Sequence, residues 1–102
     1  MSDKYQKIIG AIGLPALLEQ TAEECVELAH AALKWVRVKR SENPTPVSEN
    51  NAWYNFVEEL ADLRACIKVL ERYYGTDILF NTSCMEAEKV DRWLSRIREA
   101  GR

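Results

Sequence analysis

Two pairs of carboxylates, each set at helical spacing, carry the clearest chemistry in this chain. Glu24 and Glu27 lie in Glu23-Glu24-Cys25-Val26-Glu27, and Glu59 and Asp62 lie in Glu58-Glu59-Leu60-Ala61-Asp62. Residues three apart on an α-helix share a face, with Cβ atoms about 5–6 Å apart. Two such pairs on facing helices bring four acids around one small volume. Four like charges stay ionised together there only if something neutralises them. Hard divalent cations bound through oxygen do this, Mg²⁺ first among them and Mn²⁺ as a substitute.

The elements that must position these acids read as helices. A short amphipathic segment from Lys4 to Ile12 places Tyr5, Ile8, Ile9 and Ile12 on one side, and Gly13-Leu14-Pro15 resets the chain. A long helix follows to about Arg40, with Leu14, Leu17, Leu18, Thr21, Cys25, Leu28, Ala32, Trp35 and Val36 recurring at three and four. Ser41 to Glu49 is polar, holds two prolines and reads as the one clear loop. A second long helix runs from about Asn51 to Tyr74, its stripe being Phe56, Leu60, Leu63, Ile67, Leu70 and Tyr74, and Gly75 is a stop signal. A last helix is expected from Ser83, where Ser83-Cys84-Met85-Glu86 fits a capping box, carrying Val90, Trp93, Leu94 and Ile97. The expected fold is therefore all-α, a four-helix bundle of two long and two short helices. Helices of roughly 25 residues run about 37 Å, more than two short helices can cover, so a homodimer or homotetramer is expected to complete the core.

An acidic side chain on a helix ordinarily faces water. In the second long helix Glu59 instead falls about 45° from the centre of the apolar stripe, on the row Ala52, Glu59, Cys66, Tyr73. Arg64, Lys68 and Arg72 mark the solvated side. Asp62 lies at the border. Glu24 sits about 80° off the first stripe, on the row Leu17, Glu24, Ala31, and Glu27 lies further out. Glu59 thus resists a solvated reading most strongly.

Glu23-Glu24-Cys25-Val26-Glu27-Leu28 followed by Glu58-Glu59-Leu60-Ala61-Asp62 resembles the EExxE…ExxD signature of the MazG-like all-α nucleoside triphosphate pyrophosphohydrolases. The resemblance covers roughly residues 14 to 97 and includes helix order. The segment between the motifs is longer than usual, the extra length sitting in the proline loop. The resemblance implies cleavage of a nucleoside triphosphate between its α and β phosphates, with Glu24, Glu27, Glu59 and Asp62 as Mg²⁺ ligands. In-line displacement at phosphorus depends mainly on positioning and charge stabilisation, which suits such a cage. Either Glu23 or Glu27 would orient the attacking water. Basic residues near the C-terminal helix are implied for the outer phosphates, and Lys89 and Arg92 stand one turn apart there. Lys34, two turns beyond Glu27, and Asn55, one turn before Glu59, are further candidate substrate contacts, against a surface role for each. Trp35 and Trp53 read as core aromatics or as stacking surfaces for a base.

The 102 residues suit one domain. A net charge of −2 offers no basic stripe for a nucleic acid polymer. No apolar run is long enough for a membrane span and the opening residues lack a signal-peptide core, so a cytoplasmic setting is expected. Cys25, Cys66 and Cys84 match neither disulfide nor zinc spacing and read as reduced, small core residues. Glu27-Leu28-Ala29-His30 is a Glu-x-x-His element, but a di-iron bundle needs two and His30 is the single histidine. Two readings from different classes remain: a nucleotide pyrophosphohydrolase, whose phosphoribosyl-ATP variant differs in substrate alone, and a non-catalytic helical homo-oligomer acting as an interaction module.

Overall fold

The computed structural model describes residues 3–41 and 43–101, and every regular element among them is an α-helix. Helix α1 spans Lys4–Arg40, α2 Glu49–Tyr74 and α3 Thr76–Glu99. Local chemistry sets the ends. Asp3 accepts the Tyr5 amide at 2.9 Å and Ser48 accepts the Asn51 amide at 3.1 Å, each satisfying one of the donors a helix start leaves unpaired. Ser41 closes α1 in the left-handed region, its amide donating to the Arg37 carbonyl at 3.0 Å.

α1 bends sharply at Gly13, with φ 79° and ψ 169°. Pro15 has no amide hydrogen and disfavours helical backbone in the residue before it, so the helical ladder breaks just upstream. Glycine alone adopts the required backbone angles without strain. A Cβ at position 13 would meet nothing closer than Pro15 Cδ at 4.0 Å, so the constraint is conformational and not one of space. Gly13→Ala should therefore cost about 1–3 kcal/mol, read from urea unfolding midpoints. An unchanged midpoint would mean the kink relaxes freely.

α1 and α2 form an antiparallel hairpin, as the reversed register of their contacts shows. Asp3 pairs with Arg72 at one end, Glu27 approaches Glu59 in the middle, and Trp35 meets Trp53 at 5.3 Å between ring centroids near the loop. Phe56 extends the aromatic cluster, 5.9 Å from Trp53, and Lys39 lies over Trp35 while reaching Glu49 at 3.0 Å. The Lys39–Glu49 pair is exposed, so it adds little stability.

Three expectations need correction. The described residues hold three helices, and a four-helix bundle is not shown: the short segment before Gly13 is set off by the expected break there but runs on into α1 across the kink. α3 begins at Thr76, so Ser83-Cys84-Met85-Glu86 is helix interior and caps nothing. Between Gly75 and Ser83 there is no glycine or proline to stop the helix, and Thr82 returns its hydroxyl to the Ile78 carbonyl at 2.7 Å. Cys25 and Cys84 are exposed and Cys66 is half-buried, so none is a fully buried core residue.

Among the described residues the buried set is small: Leu17, Ala31, Ala52 and Val69, together with Glu24. The contact row of the hairpin is thus Leu17, Glu24, Ala31 on α1 and Ala52, Glu59, Cys66 on α2, with Leu18 and Leu60 left exposed beside it. No residue of α3 is buried. The radius of gyration is 17.6 Å, against about 13 Å for a compact chain of this length. No helix among the described residues is long and apolar enough to cross a membrane.

Candidate functional site

The hairpin is two-sided. Both helices are right-handed and run in opposite directions, so residues lagging the contact row on either helix turn to the same side. On α1 that flank carries Gln20, Glu23, Glu27 and Lys34, and on α2 it carries Asn55, Glu58 and Asp62. The acids therefore converge because the register aligns Glu24 and Glu27 with Glu59. One carboxylate oxygen from each of these three lies within 4.8 Å of the others. Glu24 is 8 % exposed, Glu59 half-buried and Glu27 exposed.

Glu24 Oε1 accepts a hydrogen bond from Gln20 Nε2 at 2.7 Å, whereas Glu24 Oε2 and Glu59 Oε2 are buried without a partner. Two orphaned carboxylate oxygens within one acidic cluster are electrostatically costly. Glu59 responds by holding its proton above the ordinary carboxylate range. Burial is the main cause, followed by a hydrogen bond shared with the Glu27 carboxyl and then the charges of Glu27, Asp62 and Glu24. Next to the acids, burial pushes the Cys66 thiol up, opposed by contact with the Thr21 hydroxyl and reinforced by the charges of Glu24 and Asp62. Cys66 is thus a neutral wall of the site.

The structure groups the sequence-derived candidates unevenly. Glu24, Glu27 and Glu59 come together. Asp62 is exposed and outside the trio, though its charge reaches Glu59. Glu23 is exposed and borders a shallow hollow with Ala22, Val26 and Glu27. Asn55 and Lys34 are half-buried on the polar flank, Lys34 beside His30, Leu33 and Arg37. Lys89 and Arg92 do not join them: they surround a separate hollow on α3 with Trp93 and Arg96, and α3 packs on α2 alone. Trp35 is half-buried and Trp53 exposed, and their mutual packing closes the loop end of the hairpin. His30 is exposed, with no second histidine to pair with. Sequence reasoning missed Gln20, although a position four residues before Glu24 marks a natural hydrogen-bond partner.

Neither a known family model, nor a curated protein, nor a solved structure matches the chain. Function must be argued from the site itself.

The shifted carboxyls give the metal-free protein a distinctive pH response. Because folding raises the Glu59 value, its contribution to stability is complete below the ordinary 4.5 and is lost as pH rises through the folded value. Asp3 acts oppositely. Its hydrogen bond from Arg72 holds it below the ordinary 3.8, so its contribution is present above that pH and lost on further acidification. Melting temperature should therefore rise as pH falls through the folded Glu59 value toward 4.5 and drop again below 3.8. Glu59→Gln should flatten the rise and leave the acid-side drop. A melting temperature that falls steadily as pH is lowered to 4.5 would contradict the crowding.

Proposed function

We propose that this chain is a Mg²⁺-dependent nucleotide pyrophosphohydrolase, converting a nucleoside triphosphate to a monophosphate and pyrophosphate, and that it works as a homodimer or homotetramer. The observation that carries the reading is the pair of buried, unpartnered carboxylate oxygens on Glu24 of α1 and Glu59 of the facing α2, with Glu27 beside them one turn along α1. An interaction module gains nothing from burying such groups, whereas a cation-binding site requires them. The donor set is all oxygen, which fits Mg²⁺ or Mn²⁺. Bound there, the cation would neutralise the triphosphate and polarise the phosphorus under attack.

In this reading Glu24, Glu27 and Glu59 are ligands and Asp62 completes the set from the rim. Glu23 or Glu27 accepts the proton of the attacking water. Gln20 holds Glu24 in its rotamer, and Lys34 and Asn55 meet the substrate along the polar flank. Lys89 and Arg92 lie on α3, which makes no backbone contact with α1 of its own chain, so they would reach the phosphates only across an oligomer. The chain has no GxxxxGK[ST] loop, which argues against γ-phosphoryl chemistry of the common ATPase kind.

A panel of NTPs and dNTPs with Mg²⁺ in ¹⁸O-water tests the proposal. The expected products are pyrophosphate and a monophosphate carrying the label, as attack at the α phosphorus demands. Label in pyrophosphate would move the attack to the β phosphorus. A diphosphate product would overturn the mechanism. The second reading, a non-catalytic helical homo-oligomer, accounts equally for the exposed apolar stripe of α3 and predicts no turnover with any nucleotide.

A further inference from the structure

The flank of the hairpin opposite the acids is largely apolar and uncovered, with Lys39 and Arg64 at its edges. Residues ahead of the contact row include Leu18, Cys25, Ala29 and Val36 on α1, and Trp53, Leu60 and Ile67 on α2, all of them exposed. α3 presents a matching stripe of Leu79, Phe80, Ala87, Val90, Leu94 and Ile97, with Phe80 72 % and Val90 61 % exposed. At 1.5 Å per residue, the α1 face from Leu18 to Val36 and the α3 stripe from Leu79 to Ile97 each run about 27 Å.

The chain's own α3 cannot close that flank. Gly75 alone joins α2 to α3, at φ 78° and ψ −153°. Antiparallel helix pairs need connections of about 2–5 residues, so a one-residue link keeps α3 from folding back along α2. It leaves α3 projecting from the end of the hairpin, consistent with the extents of 49 × 39 × 24 Å.

We propose that α3 docks on the apolar flank of a second copy's α1–α2 hairpin, each copy giving its arm to the other. Two reciprocal helix-on-hairpin contacts of this length bury at least about 1,000 Å², the area at which stable interfaces begin. The exchange covers both unpartnered surfaces at once. It supplies the assembly mode for the oligomer named above and does not depend on the chemistry of the acids, which occupy the other flank.

Two substitutions separate this arrangement from its rivals. Ala29→Glu places a charge on the hairpin flank and Leu94→Glu one on the arm; both positions are exposed and both changes suit a helix, so the circular dichroism of the chain should be retained. Sedimentation equilibrium should show the wild type as a dimer or larger at micromolar concentration, and each variant weakened about 100-fold or more. Mixed together, the two variants should form a hetero-assembly by native mass spectrometry, because the intact arm of one meets the intact flank of the other. Tyr54→Glu, on the polar side, should leave assembly unchanged. Insensitivity to Ala29→Glu would mean that arms pair with arms, and insensitivity to Leu94→Glu that hairpins pair with hairpins. Either result, a mixture with no hetero-assembly, or a wild-type species of 11.7 kDa, would overturn the exchange.

Discussion

Glu59→Gln is expected to abolish Mg²⁺-dependent turnover, lowering it at least about 100-fold, while making the metal-free protein more stable. The two effects have one cause. Glu59 is half-buried, one of its oxygens has no partner, and the charges of Glu27, Asp62 and Glu24 all act against its ionisation. An amide of the same shape removes that repulsion and can donate to Glu27, so the apo fold gains. The same change deletes an anionic ligand at the centre of the trio, so the cation is lost. Isothermal titration with Mg²⁺ and the melting temperature of apo protein, measured on the same preparation, read both effects. Glu58→Gln, one position away and exposed, is the control expected to change neither. Retained Mg²⁺ affinity in Glu59→Gln would sink the assignment, and reduced apo stability would show that Glu59 is held by something other than crowded charge.

The second large effect is stabilisation by the cation itself. A ligand that binds only the folded state at a hundred times its dissociation constant adds about 2.7 kcal/mol. For a domain near this size, each kcal/mol moves the midpoint by about 4–8 °C, so saturating Mg²⁺ should raise it by about 10–20 °C. Matched Na⁺ should give far less, because screening alone leaves the Glu24 and Glu59 oxygens unpartnered. The Mg²⁺ shift should shrink as pH falls, since the proton on Glu59 then competes with the metal. A midpoint indifferent to millimolar Mg²⁺ at pH 7.5 would leave the acids as structural charge and return the interaction-module reading to first place.

These expectations rest partly on residues and partly on geometry, and the division has a physical basis. Helix identity and several helix ends were legible in the sequence because they are local chemistry. The first long helix ends at Arg40 as read, and Gly75 stops α2 through its own backbone freedom, whereas α2 begins two residues before Asn51 because the Ser48 hydroxyl caps it. The heptad rows Leu17, Glu24, Ala31 and Ala52, Glu59, Cys66 were also visible, since an α-helix returns nearly to the same azimuth after seven residues. The start of α3 was not, because helix continuation through Thr76 to Thr82 depends on the absence of any breaker, while the Ser83 motif offers a cap that an uninterrupted helix has no use for. Nor could periodicity locate the contact row. A wheel sums every apolar residue, whether it faces the neighbouring helix or a flank left open, so the α1 stripe seemed to lie about 80° away from the row of Leu17, Glu24 and Ala31, which is the row that is buried. Burial of Glu24, and the meeting of Glu24 and Glu27 with Glu59, follow from the register of two helices joined by a proline-bearing loop. Register is a relation between distant segments, set by the packing of Trp35 on Trp53 and the pairing of Asp3 with Arg72, and only the tertiary structure decides it.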